Sequence, residues 1–187
     1  MSISEKLQAN FSEMIDIRRH LHMYPELSFK EVNTPKLIAE KLASFGIEVK
    51  ENVGGNGVVG FLKGEFDGPT IAFRADFDAL PIQDEKDVPY KSKIDGISHA
   101  CGHDIHTAAL LGLAKALADA REILHGNIVF IHQFAEEVVP GGAKAMVEAG
   151  CLEGVDYVYG AHVASWSELG KVLFCEEYAM AAADFFE

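Results

Sequence analysis

The chain has 187 residues, 49% of them hydrophobic and 24% charged, a balance that excludes a disordered or low-complexity protein. Sixteen Lys and Arg against 29 Asp and Glu give a formal net charge of −13, which argues against nucleic acid or an anionic membrane as partner. The best apolar run, Ala108 to Ala118, is broken by Lys115 and falls short of the ~20 residues of a membrane span.

The N-terminus, Met1-Ser-Ile-Ser-Glu5-Lys6, lacks the charged-then-apolar order of a secretion signal. Three separated cysteines, Cys101, Cys151 and Cys175, build no disulfide framework. Both features point to a reducing, cytoplasmic setting.

Residues 4–23 place Leu7, Phe11, Met14, Ile15 and Leu21 mostly three or four apart, predicting one amphipathic helix that Pro25 stops. A second helix starts at Thr34-Pro35, turns Leu37, Ile38, Leu42 and Phe45 inward, and ends at Gly46. Ile47–Glu51 and Val58–Leu62 read as short strands around the turn Gly54-Gly55-Asn56-Gly57, and Thr70–Ala75 as a third strand closing on Asp76. A helix follows over about Thr107–Ala120. Asn127–Gln133 is nearly all apolar, as in a strand covered on both faces. Pro140-Gly141-Gly142 opens a helix over Ala143–Ala149, and Val155–Ala161 and Lys171–Cys175 are the last strand candidates. Helices alternating with buried strands predict an α/β fold: a doubly wound, mostly parallel sheet with helices on both faces.

In such sheets ligands bind beyond the carboxyl ends of the strands. Asp76 and Asp78, Cys101 and His103, Glu136 and Glu137, and His162 all fall there or in a loop opening a helix. The densest group is His99-Ala-Cys101-Gly-His103-Asp104-Ile-His106. An isolated His is better read as a solvated or core residue, but three His, one Cys and one Asp within eight residues favour a metal. Cys101 and His103 would diverge by about 200° on a helix, so a loop relaxed by Gly102 is expected to bring them together. Thiolate with imidazole suits zinc, and imidazole with carboxylate also admits manganese or nickel. Asp104 suits a cap or an acceptor behind a ligand.

Glu136 and Glu137, if extended, point in opposite directions, so one carboxylate can hold metal while the other addresses a water molecule. A solvated acidic turn is the competing reading. Asp76 and Asp78 share one face by their spacing of two, and would otherwise be a turn-capping pair before Pro81. Cys151 and Cys175 read as small buried hydrophobes, and His20, His22, His125 and His132 carry no motif.

The segments RRHLHMYPELSF (18–29), RADFDALP (74–81), HACGHDIH (99–106), HQFAEEVVPGGAKAMVEAG (132–150) and YGAHV (159–163) resemble the aminoacylase-like metallopeptidase family. More closely they resemble its branch of auxin-conjugate hydrolases, hippurate hydrolases and N-acetyl-diaminopimelate deacetylases. The resemblance implies a zinc-peptidase-like catalytic domain that hydrolyses the amide of an N-acyl amino acid or short peptide at a site for two divalent ions. It implies Cys101, His103, Glu137 and His162 as metal ligands, Glu136 as general base, and Asp78 as the residue orienting the site. Phe77, Ile105 and Phe134 depart from more usual residues beside the motifs.

Family members are longer. The resemblance therefore implies that residues 1–178 are the first part of a catalytic domain and that 179–187 open an inserted dimerisation (lid) domain. One further metal-binding His would lie beyond, and the complete protein would be a homo-oligomer. Two other readings stay open: a thiol hydrolase using Cys101 with His103 or His99 as base, and a non-catalytic metal- or ligand-binding domain.

Overall fold

A computed structural model describes residues 1–174. The first predicted helix is two: α1 (Ile3–Ala9) and α2 (Phe11–Met23) meet at Asn10, whose amide turns back onto the carbonyls of Lys6 and Leu7. The two halves have different neighbours. In α2, Ile17, Leu21 and His22 are buried, whereas α1 buries no residue and reaches back to donate from Lys6 Nζ to the Asp119 carbonyl.

Helix α3 (Asn33–Ser44) ends at Gly46, where φ is +74°, the left-handed value expected of a glycine terminator. Its first turn is capped from a distance. The Glu26 carboxylate accepts from the amides of Val32, Asn33 and Thr34 at 2.8–3.0 Å. Burial would raise the pKa of Glu26, but those amides hold it below the usual glutamate value.

The strands are β1 (Glu48–Val53), β2 (Gly57–Lys63), β3 (Phe66–Asp76), β4 (His125–Gln133) and β5 (Tyr157–Gly160). Helix α4 (His103–Ala118) connects β3 to β4, and α5 (Gly142–Glu148) lies between β4 and β5. The α/β architecture is as expected, with a mixed sheet in the order β1-β2-β4-β3-β5. A tight turn makes β1 and β2 antiparallel, and β2 also meets β4 antiparallel. The helical crossovers make β4, β3 and β5 parallel. The parallel half carries the candidate site.

β4 is central and buried along nearly its whole length. Phe130 and His132 share the face that receives Leu42 of α3 and Thr107 of α4, while Met146 of α5 packs on the other face, against Gly57. The apolar core therefore lies on both sides of the sheet, around Leu42, Leu62, Leu111, Phe130 and Met146. At the far edge, β5 is exposed at all four residues. Residues 171–174 form no strand, and Cys175 and the boundary expected at 178–179 lie outside the described residues. No helix among the described residues is long and apolar enough to cross a membrane.

Candidate metal centre

The parallel strands β3, β4 and β5 end side by side, so the residues just beyond them meet at one rim. There Cys101, His103 and His162 bring their donor atoms within 4.8 Å of one another, and so do His103, Glu136 and Glu137. His103 belongs to both groups. It is the first residue of α4 rather than part of the preceding loop, while Cys101 stays in the loop. Between them Gly102 has φ +90°, a conformation that L side chains rarely adopt, and a Cβ there would collide with Val163.

The imidazoles are oriented from behind. His103 Nδ1 donates to the backbone O and Oδ1 of Asp78 at 3.0 and 3.1 Å. Its Nε2 faces Glu137 Oε1 at 3.6 Å, Asp76 Oδ2 at 3.7 Å and Glu136 Oε2 at 3.9 Å, with no hydrogen bond to any of them. His162 Nδ1 donates to the Val163 carbonyl at 2.6 Å, which leaves Nε2 beside Cys101 Sγ at 3.3 Å. Asp78 also accepts from Ser28 Oγ at 2.7 Å and from the Glu137 amide at 3.0 Å through its other oxygen. It thus faces its supports and orients both His103 and the Glu137 backbone.

Glu136 and Glu137 do not diverge as an extended pair would. Ala135 takes φ +46°, and the chain turns, so both carboxylates approach His103. They differ in exposure: the Glu136 side chain is 42% exposed and that of Glu137 18%. Buried Glu31 accepts from the Ala135 amide at 2.9 Å and from Asn56 Nδ2 at 3.0 Å, and burial pushes its pKa up. The sequence reading missed this support because its partners lie 25 and 104 residues away.

Asp76, His103 and His106 also cluster, but both His106 nitrogens are engaged. Nδ1 donates to Asp76 Oδ1 at 2.7 Å, and Nε2 accepts from the Val163 amide at 2.9 Å. This group is a hydrogen-bond network rather than an ion cradle. Burial would raise the pKa of Asp76, yet the His106 hydrogen bond and the Arg74 charge hold it well below the usual aspartate range.

His22, to which the sequence assigned no role, is buried between Asp104 at 2.7 Å and Asp84 at 3.2 Å, and Asp104 also meets Arg18 at 2.9 Å and accepts from the Ile105 amide. His99 is buried with neither nitrogen partnered, and burial lowers its pKa to about 4.

The environment bears on the thiol reading. Burial first, then Glu137, pushes the Cys101 thiol up to about 12, so without a bound cation it stays protonated at neutral pH. A divalent ion reverses that balance, because a coordinating thiol is deprotonated outright. The residues fit a metal: buried His103 Nε2 and Glu137 Oε1 converge with no hydrogen-bond partner. Thiolate, imidazole and carboxylate together form a familiar divalent-metal donor set.

A mixed α/β sheet with such donors at the ends of its parallel strands is a framework suited to a metallohydrolase. Residues 72–175 match the model of peptidase family M20/M25/M40, and the chain belongs to that family. It is similar to thermostable carboxypeptidase 1 of Saccharolobus solfataricus, 47% identical over 193 aligned positions that take in 100% of this chain and 49% of that protein. It is also similar to an N-acyl-L-amino acid amidohydrolase of Geobacillus stearothermophilus, at 46% identity over 94% of this chain and 47% of that one. Among solved structures, a dinuclear metal-binding peptidase of the M20 family from Bacillus subtilis superposes with TM-score 0.78 and 47% identity, covering 83% of this chain and 43% of its own. The chain spans about half the length of the curated relatives it matches.

Proposed function

We propose that this chain supplies the amide-cleaving centre of a metal-dependent hydrolase of N-acyl amino acids or short peptides, with Cys101, His103, Glu137 and His162 holding divalent metal. The observation that carries this reading is the convergence of buried, unpartnered His103 Nε2 and Glu137 Oε1 with Cys101 and His162. The relatives' names support the substrate class. A bound zinc, manganese or nickel ion would polarise the scissile carbonyl and acidify a water molecule.

The remaining work falls to the chain. Glu136, the more exposed of the two glutamates, takes the proton of the attacking water and returns it to the departing amine. Asp78 holds the tautomer of His103 and the backbone of Glu137. Two ions sharing the His103 region suit the paired donor groups. Because the chain spans about half the length of its relatives, the proposed complete centre includes a further metal-binding His and a lid that excludes water, in a cytoplasmic homo-oligomer.

Glu136→Gln in the complete protein is expected to abolish hydrolysis while metal content stays near wild type. Glu137→Gln is expected to lower metal content, because a neutral amide is the poorer ligand. Equal metal loss in both variants, measured by elemental analysis, would contradict the division of roles. A chelator should abolish activity; activity that survives it and yields to thiol alkylation would favour the Cys101 nucleophile.

A further inference from the structure

We propose that Asp76 and His106 are positioning residues for His162, fixing its imidazole for the metal through the backbone of Val163; the inference rests on the metal reading above. His162 needs such a device. It lies two residues beyond the end of β5, in a stretch where Tyr157 through Val163 are all exposed. Among the described residues it is polar contacts that fix its ring.

Those contacts form one chain. Arg74 is gripped by Gln133 Oε1 at 2.8 and 3.0 Å and donates to Asp76 Oδ2 at 2.6 Å. Thr107 Oγ1 donates to the Asp76 carbonyl at 2.8 Å, so the carboxylate and its backbone are both fixed. Asp76 Oδ1 then accepts from His106 Nδ1, placing the His106 proton there and leaving Nε2 as an acceptor. Only that tautomer can receive the Val163 amide; the other would set one N–H against another. The same residue's carbonyl accepts from His162 Nδ1, so the lone pair of His162 Nε2 is turned toward Cys101. The His106 and His162 rings pack edge-on, with centroids 4.5 Å apart. Val163 is thus held by His106 on its N–H and in turn holds His162 by its carbonyl.

Groups that orient a ligating histidine typically change metal affinity by about 10–100-fold when removed. Here the effect must pass through His162, which gives a discriminating test. Cobalt(II) titrated into the complete protein reports binding through the thiolate-to-cobalt charge-transfer band of Cys101. His106→Ala is expected to weaken cobalt binding by about 10–100-fold. His106→Gln, whose side-chain carbonyl can accept the Val163 amide, is expected to recover part of that loss. In a His162→Ala background, His106→Ala should change affinity by less than about twofold, because residues that act as one unit are not additive.

A variant that merely misfolds would lose affinity equally in both backgrounds, and that result would overturn the proposal. So would unchanged binding in His106→Ala with a normal cobalt spectrum. If the complete, unsubstituted protein develops no charge-transfer band, the metal reading fails, and the inference falls with it.

Discussion

Two buried histidines should make this fold unstable in mild acid. His132 has no exposed surface, faces Thr107 Oγ1 at 3.4 Å, and has an unpartnered Nε2. Burial lowers its pKa from 6.5 to about 3, and burial lowers that of His99 to about 4. Below pH 6.5 the unfolded chain takes up these protons while the folded chain does not, so stability falls as pH drops. Each histidine then contributes a slope of about 1.4 kcal/mol per pH unit, lost progressively between pH 6.5 and its folded value.

Other shifted groups act mainly outside this window. His103, whose pKa is raised, gives a stabilisation that is complete below 6.5 and lost only as pH rises through its folded value. Asp76, Asp78 and Asp104, all lowered, lose theirs only as pH falls below about 3.8. Raised Glu31 works against the histidines from 4.5 upward.

Urea unfolding of metal-free protein at pH 7, 6 and 5, followed by far-UV circular dichroism, measures the slope. His132→Leu replaces the ring with an apolar side chain of similar size and leaves the Thr107 bond to the Asp76 carbonyl intact. Between pH 6.5 and 5 the variant should lose about 2 kcal/mol less than wild type, 1.5 pH units at about 1.4 kcal/mol each. Equal slopes in the two proteins would refute the reasoning.

Two further substitutions probe the turns that aim the site. Glu31→Ala leaves the buried Ala135 amide unpaired in a left-handed turn, and should cost about 1–3 kcal/mol in urea unfolding together with weaker metal binding; Glu31→Gln, which can still accept that amide, should lose less. Gly102→Ala puts a Cβ against Val163 at φ +90°, and should destabilise by at least about 1 kcal/mol and lower metal occupancy, read by calorimetry and elemental analysis.

The residues that converge at the rim were legible as candidates from their place at the ends of elements, while their roles as ligands came only from the family resemblance. Cys101, His103, Glu137 and His162 each follow or precede a well-patterned element, and the NIVFIHQ run marked the central strand. What joins distant segments could not be read that way. Hydrophobic patterning is the same whether β4 meets β2 antiparallel or β3 parallel, so the mixed sheet emerges only from packing. The break at Asn10 reflects where α1 docks, not a breaker residue. Glu26, Glu31 and His22 look like ordinary surface residues in sequence. Their roles come from backbone amides and carboxylates brought near by the fold, across separations of six to 104 residues.

The short edge strand β5 has a consequence for durability. Among the described residues it pairs only with β3, and is secured by a two-way clamp between Asp156 and Thr70 and by the Tyr159 ring stacked on Phe73. Such a strand belongs to the part of a protein that opens first, well before the core lets go. In the proposed centre, an ion gripped by Cys101 and His162 would tie the segment beyond β5 to the start of α4. By linkage, free metal at 100 times its dissociation constant would add about 2.7 kcal/mol to the cost of any opening that releases the ion. Metal starvation would then show first as fast amide exchange and protease nicking along 157–163, in a molecule whose interior is still intact.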